Sequence, residues 1–549
     1  MKGYNKWKKL MALILTGASV LSLTACGGAQ EETDKEAGSA QETVSESSTQ
    51  TGDEAADKEE KSFDEKRTIS LAVLDNVTDE EWQNDYHKYF MEKFNIEWDY
   101  NYVEWGSWQE KLRVWINSGD LPDVSIWDYN YTDAENYVNQ GLLYQFPEDW
   151  KERWPNAAMA YEKSPLNVEL EERFGGTYVM LRPIFVYHAQ TDPIVNQIGV
   201  IGIRKDWAEA AGFELKDAYT VDEMLEYARL IKEQDPGKVG NGLIPLCFDP
   251  ANAMTCFVSA NSSHSRIETA FYKDADGVYK WGPSEESTLE ALKLYQQAYR
   301  EGLMDPEFYL MNDDDKDKFY INGTAALYHM GGVADFRQTA DTEMRNNLQL
   351  NSDEVVHEAI LLGNDNNYHN IILGSNYWSS LIFSPDITDE NFERIMDMID
   401  FTCTEEGQII CNMGFEGTDW EYDEEGKPVS ILEEGTSILD KYGARIESIY
   451  ILEDDFAVIN PAIKDEYRDR MTALAELKLE KGQGQYDEID WDQSFLVSKS
   501  KDQVQFKYEE EYANLILQEG DLETNWKKWV ESKMSLVQPY LDELNGMTE

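Results

Sequence analysis

Positive charge is what this 549-residue chain lacks most: 48 Lys and Arg stand against 107 Asp and Glu, a formal charge of −59. So acidic a surface repels nucleic-acid phosphates and anionic lipid, which excludes nucleic acid as a partner, and repulsion between copies favours a monomer. Cysteine is also scarce, with five in the chain, and no CxxC or Cys/His spacing joins them, so zinc is not expected. Cys247, Cys256, Cys403 and Cys411 leave two readings open: two disulfides, or four small buried thiols. The six histidines are scattered without an HExxH pair. No GxSxG or Walker string occurs, so no cofactor is expected and catalysis is not the first reading.

Long apolar runs are equally rare. One extends from Leu10 to Leu23, behind Lys2, Lys6, Lys8 and Lys9, and leads to Leu23-Thr24-Ala25-Cys26-Gly27. This is the layout of a secretory signal, and it is shorter than the roughly 20 apolar residues a membrane span needs. The junction resembles a bacterial lipobox. That implies removal of residues 1–25, a diacylated Cys26, and a chain held on the outer face of the cell membrane by its lipid alone, at about 0.8 kcal/mol per buried CH₂. From Gly27 to Lys66 the composition is acidic and small, with Phe63 the one aromatic residue, so 26–66 is expected to be a disordered tether.

What the rest contains is alternation. Ile69, Leu71, Val73 and Leu74 form a short apolar run, Ile96 to Tyr102 alternates at period two, and Val124-Ser125-Ile126-Trp127 is a third strand. Between them Tyr86, Tyr89 and Phe90, then Trp108, Leu112, Trp115 and Ile116, keep helical spacing, the first helix opened by a Thr78/Glu81 capping box and the second stopped by Gly119. A second β-α series starts at Val200, with a capping box at Thr220 and Glu223. Single cores stop growing at roughly 250–300 residues, so two α/β lobes with mainly parallel sheets are expected. Ligands bind such sheets beyond the carboxyl ends of the strands. That directs attention to Asp75 and Asn76, Glu104 and Trp105, and Trp127, Asp128 and Tyr129.

Several strings then agree as a set: Ser118-Gly119-Asp120-Leu121-Pro122-Asp123-Val124, Ile203-Arg204-Lys205-Asp206-Trp207, Glu301-Gly302-Leu303-Met304-Asp305-Pro306-Glu307-Phe308, Asn322-Gly323-Thr324-Ala325-Ala326 and Gly414-Phe415-Glu416-Gly417-Thr418-Asp419-Trp420. In this order they resemble the family 1 extracellular solute-binding proteins of ABC importers, in their lipoprotein branch. The resemblance implies a two-lobed periplasmic-binding-protein-like fold of class II type, a solute closed upon in the interlobe cleft, delivery to membrane permease subunits, and no catalysis. It also implies ligand contact by Trp127, Asp128 and Tyr129. Many members carry an Asp- and Asn-rich loop that resembles a calcium site, but here Lys238 and Val239 stand where oxygen ligands are wanted, and no metal is predicted.

The lobes are drawn as 67–185 with 329–380, and 186–328 with 381–549, with Ile184 to Tyr187 and Ala325 to Tyr328 as hinge crossings. A sugar needs flat aromatic platforms flanked by carboxylates and amides. Asn376, Tyr377 and Trp378 near a crossing, and Trp420 with Glu416 and Asp419 in a glycine-flanked loop, therefore join the candidate contacts for a neutral oligosaccharide. Two other functions stay open: a surface glycosidase or lyase, since paired carboxylates abound, and a non-transporting glycan sensor or adhesin on the same lobes.

Overall fold

The computed structural model describes residues 63–74, 84–103, 107–127, 131–183, 199–262, 270–330, 334–350, 355–369, 377–433, 436, 438–443, 461–482, 490, 493 and 496–547. In chain order the strands are β1 (Arg67–Leu74), β2 (Ile96–Val103), β3 (Val124–Trp127), β4 (Val179–Pro183), β5 (Val200–Arg204), β6 (Ala218–Thr220), β7 (Ile244–Cys247), β8 (Phe271–Lys273), β9 (Tyr279–Trp281), β10 (Ala325–Met330), β11 (Val356–Leu362), β12 (Tyr377–Phe383), β13 (Trp420–Tyr422) and β14 (Pro428–Ser430). They form two five-stranded sheets, β2-β1-β3-β12-β4 and β6-β11-β5-β10-β7, and two hairpins, β8-β9 and β13-β14.

Each large sheet has four strands in one direction and one reversed. In the first, β1 runs parallel to β2 and β3, whereas β12 is antiparallel to both β3 and β4. In the second, β5 is antiparallel to β10 and β11, which pair in parallel with β7 and β6. Helices cover both faces of each sheet, so the strands are apolar on both sides, as mainly parallel sheets require. Ile69, Leu71, Trp98 and Phe383 face one core of the first lobe, and Ala72, Val103, Leu181 and Ile382 the other. The second sheet is likewise sandwiched, with Ile201, Ile203 and Leu246 on one side and Val200, Ile244 and Ile360 on the other.

Local signals place the helix ends. Thr220 accepts from the Glu223 backbone N–H while the Glu223 carboxylate accepts from that of Thr220, the reciprocal pair the sequence predicts. Gly119 ends the helix Trp108–Ser118 at φ 79°, a left-handed conformation that costs other residues about 1 kcal/mol or more. The first helix, Asp85–Lys93, is capped by the Asn84 side chain. The expected Thr78/Glu81 box lies outside the described residues.

Four sequence expectations need correction. β11 pairs with β5 and β6, so 356–362 belongs to the second lobe and not to the first. Conversely, helices Asp389–Thr402, Glu405–Met413 and Ile438–Tyr442 bury Phe392, Ile399, Ile410 and Tyr442 against Ile69 and Leu71, so the first lobe continues beyond β12 to residue 442. Ala325 to Tyr328 is no hinge but an interior strand, β10, between β5 and β7. The tether stops earlier than Lys66: Phe63 packs 5.8 Å from Phe94, lies under the Arg394 guanidinium at 4.1 Å, and accepts at its carbonyl from Asn95 Nδ2 at 2.8 Å. All these misplacements are non-local, since strand order and docking depend on partners far away in sequence. Residues 184–198, among them the expected crossing Ile184 to Tyr187, and residues 370–376 and 444–460 lie outside the described residues.

The four described cysteines are free thiols, and Cys247, Cys256 and Cys411 are buried. Burial pushes the Cys247 thiol up to about 12. In the second lobe the buried Arg337 is flanked by two carboxylates, Asp341 with Oδ1 2.6 Å from Nη1, and Glu358. Burial opposes the Arg337 charge, but the two carboxylates hold the guanidinium firmly protonated. Among the described residues no helix is long and apolar enough to cross a membrane.

Candidate functional site

In the first lobe the parallel strands end at Leu74, Val103, Trp127 and Pro183, and the reversed β12 begins at Tyr377 on that same edge. Asp75, Asn76, Trp105, Asp128, Tyr129 and Asn376 follow or precede these ends directly and lie outside the described residues, as do the side chains of Tyr377 and Trp378.

Trp127 is described, and it is a core ring. It is 3% exposed, sits among Trp108, Leu112, Ala134 and Leu181, and meets Tyr137 at 5.8 Å. Strand alternation puts it on the face covered by helices Trp108–Ser118 and Tyr131–Gln140 rather than at the open rim. The ring face expected to be open to a sugar is therefore packed. Trp420 is buried as well: β13 lies over helix Glu405–Met413, the indole packs on Ile409 and Met413, and its N–H donates to the Gly414 carbonyl at 3.3 Å. Glu416 is exposed in the turn before it.

Behind that turn Asp419, expected beside Trp420 as a ligand contact, is a buried carboxylate instead. Asp419 accepts from the Phe415 N–H at 2.7 Å, the Lys441 ammonium at 2.5 Å and the Tyr442 hydroxyl. Partial burial opposes the Lys441 charge, but the Asp419 and Tyr442 contacts leave its pKa raised. The Tyr442 carbonyl in turn accepts from Asn84 Nδ2 at 2.7 Å, so this cluster reaches the start of the first helix.

The second lobe's edge is more fully described. β6, β7, β10 and β11 end there, and β5 begins there behind Gly199, whose φ of 88° favours glycine. A Cβ on Gly199 would lie 3.5 Å from Tyr368 Oη and 3.8 Å from His329 Nε2, so the ends of β5, β10 and β11 converge. The loop 363–369 after β11 is rigidly tied. Gly363 N–H donates to the Asn367 carbonyl, Asn364 N–H to Asn261 Oδ1 at 3.0 Å, and the Asp222 N–H to Asn364 Oδ1 at 2.9 Å. Gly363 is needed because a Cβ would come within 2.7 Å of the Ala260 carbonyl oxygen. The Asp365 carboxylate accepts from the Asn367 N–H and amide and faces His369 Nε2 at 2.9 Å. Partial burial works against its charge, but these contacts hold its pKa below the usual range. Amides, a carboxylate and imidazole fixed in direction at a strand-end rim are groups that recognise hydroxyls. The Gly-Asn-Asp-Asn-Asn run was the available signal, and composition alone marks it only as a turn.

For a metal, the loop after helix Val221–Gln234 shows Asp235 turned onto its own backbone, accepting from the Val239 and Gly240 N–H groups at 2.9 and 2.8 Å. No group of three or more metal-ligating side chains stands together among the described residues.

The rim of the first lobe carries an irregularity. Between Tyr377 and Ser380, β12 gains one residue against β4, and Ser379 sits there at φ 58°. Its hydroxyl accepts from Arg182 Nη1 at 3.0 Å, and both residues are buried.

Comparison with known proteins agrees with this architecture. The family model described as bacterial extracellular solute-binding protein matches residues 75–334. A curated relative, the polygalacturonan/rhamnogalacturonan-binding protein YtcQ of Bacillus subtilis, is 22% identical over 242 residues, 44% of this chain and 45% of that protein, so the match spans less than half of either. Among solved structures, the S. pneumoniae ABC-transporter substrate binding protein FusA in complex with kestose superposes with a TM-score of 0.62 at 15% identity, over 87% of this chain and 98% of that one. Alginate-binding protein AlgQ2 without calcium ion gives 0.62 at 15% identity over 88% and 98%. Two mainly parallel sheets, each with one reversed strand, make a two-lobed α/β fold, and over residues 75–334 the chain is similar to the bacterial extracellular solute-binding proteins.

Proposed function

We propose that this chain captures an oligosaccharide between its lobes and hands it to the permease subunits of an ABC importer, working from the outer face of the membrane through a lipid on Cys26. The observation that carries the ligand class is the rim of the second lobe, where Asn364, Asp365, Asn367 and His369 are locked by hydrogen bonds. Fixed donors and acceptors suit a guest made of hydroxyls, because each unpaired group would cost desolvation. Structures of the same fold carry sugars: FusA is titled in complex with kestose and the S. pneumoniae protein NgtS in complex with Man5GlcNAc. The curated relative is named for polygalacturonan and rhamnogalacturonan, whereas the acidity of this chain and the Asp365 carboxylate favour a neutral guest.

The test is a thermal-shift panel of kestose, mannose-containing N-glycan fragments and galacturonan oligomers, since a solute that binds only the folded form raises the melting temperature. A neutral oligosaccharide should give the largest shift. Larger shifts with peptides or polyamines would overturn the ligand class, and hydrolysed glycan in the mixture would favour a glycosidase or lyase.

A further inference from the structure

Two described non-glycine residues of the first lobe have positive φ: Asn95, in the turn before β2, and Ser379, inside β12. A non-glycine residue at φ 58° inside a strand is sterically strained. Such strain persists only where surrounding contacts over-determine it, and it gathers at functional sites. Here the surroundings are identifiable. Ser379 is 2% exposed and Arg182, one residue before the end of β4, is 3% exposed, with Nη1 donating to the serine oxygen at 3.0 Å. Next in the chain, Ser380 donates its hydroxyl to the Trp127 carbonyl at 3.1 Å, tying β12 to the end of β3. Two adjacent serines thus fasten β12 to both neighbouring strands just where those strands finish.

The bulge lies two residues after β12 begins. Four residues of β12, Tyr377 to Ser380, stand against three of β4, Pro183 to Leu181. A bulge bends its strand and increases its twist, so this one sets the direction of the first residues of β12. An unstrained strand would need neither the left-handed serine nor a buried guanidinium beside it.

We infer that Arg182 and Ser379 are positioning residues of the binding edge: their hydrogen bond holds the bulge that sets where the backbone of 377–378 stands at the rim. The pair acts on affinity without touching the guest, and this inference rests on the oligosaccharide-binding reading. It also assigns a function to strain that packing alone would remove.

The experiment uses Ser379→Gly, which keeps a backbone able to adopt φ 58° but loses the acceptor, together with Arg182→Met and Arg182→Lys. Amide hydrogen exchange of 377–380, melting temperature, and calorimetric affinity for kestose and a galacturonan trimer are read in each. Ser379→Gly should keep a melting temperature within a few degrees of the parent, because relief of strain offsets the lost bond. Its 377–380 amides should exchange at least tenfold faster, and affinity for the sugar that binds the parent should fall at least fivefold. Arg182→Met should show the same local loosening and Arg182→Lys should recover part of it. Unchanged exchange in both Ser379→Gly and Arg182→Met overturns the anchoring role. Faster exchange with unchanged affinity overturns the link to binding. If neither sugar binds the parent, the oligosaccharide reading fails for these probes and the exchange data still decide whether the pair anchors the bulge.

Discussion

The Tyr442 hydroxyl stands 3.0 and 2.9 Å from the two carboxylate oxygens of the buried Asp419, bridging the end of the first lobe's last helix and the turn before β13. The Tyr442 carbonyl meanwhile accepts from Asn84 and faces His87 Nε2 at 3.3 Å, so the residue joins the turn, the last helix and the first helix.

Removing that hydroxyl should be felt as stability rather than as affinity. Tyr442→Phe leaves a buried carboxylate with one donor fewer, which costs about 1–3 kcal/mol. Urea unfolding should show a lower midpoint with an unchanged slope. A parent-like midpoint would mean that Lys441 and the Phe415 N–H satisfy Asp419 without it.

Trp127 belongs to the same class of residue. Because its ring is packed against Tyr137 and Leu181, Trp127→Ala should open a cavity and cost about 3–5 kcal/mol, and Trp127→Phe clearly less. Denaturant titration of the two variants checks this. A Trp127→Ala protein with parent stability but weakened sugar affinity would return the ring to the binding surface.

These two residues mark how far the sequence is legible. Features set by neighbours in the chain were readable: the Thr220/Glu223 capping box, the left-handed stop at Gly119, and the ends of β1, β2 and β3. Features set by distant partners were not. Period-two alternation places Trp127 on one face of β3, but only the docking of helices Trp108–Ser118 and Tyr131–Gln140 makes that face interior. Nothing local announces that β12 inserts antiparallel between β3 and β4, or that a serine rather than a glycine occupies the left-handed position there. Asp419 stood out beside Trp420 as a candidate contact, but its burial depends on Tyr442 arriving from another helix.

The Arg337 cluster tests a different balance. Arg337→Met would strand the Asp341 and Glu358 carboxylates in a nearly dry site, a loss of about 3–5 kcal/mol. Replacing Asp341 by Leu in the same chain should recover part of that loss, because an uncompensated buried charge is what the single change leaves behind. A double-mutant cycle by urea unfolding measures the coupling. Additive effects would show that Glu358, which also meets Arg470 Nε at 3.6 Å, carries the interaction alone.

Lys478 should make stability depend on pH in a direction opposite to that of an ordinary surface lysine. It lies on helix Asp465–Gly482, 1% exposed, with its ammonium 5.6 Å from the Tyr368 ring, and burial lowers its pKa to about 7 from 10.5. Between those two values the unfolded chain holds a proton that the folded chain does not, so stability rises with pH across that window, by at most about 1.4 kcal/mol per pH unit from this group. Below pH 7 both states are protonated and the full penalty of burying the charge remains. Lys501, lowered to about 8 by burial, adds a slope of the same sign above that pH. Tyrosines such as Tyr219, raised to about 12, reverse the slope once the unfolded phenols ionise near pH 10. Comparison with Lys478→Met between pH 6.5 and 9 isolates the lysine. The variant should be the more stable protein at pH 6.5, and its advantage should shrink steadily as pH rises, whereas parallel curves would mean that the Lys478 amine stays protonated in the fold throughout this range.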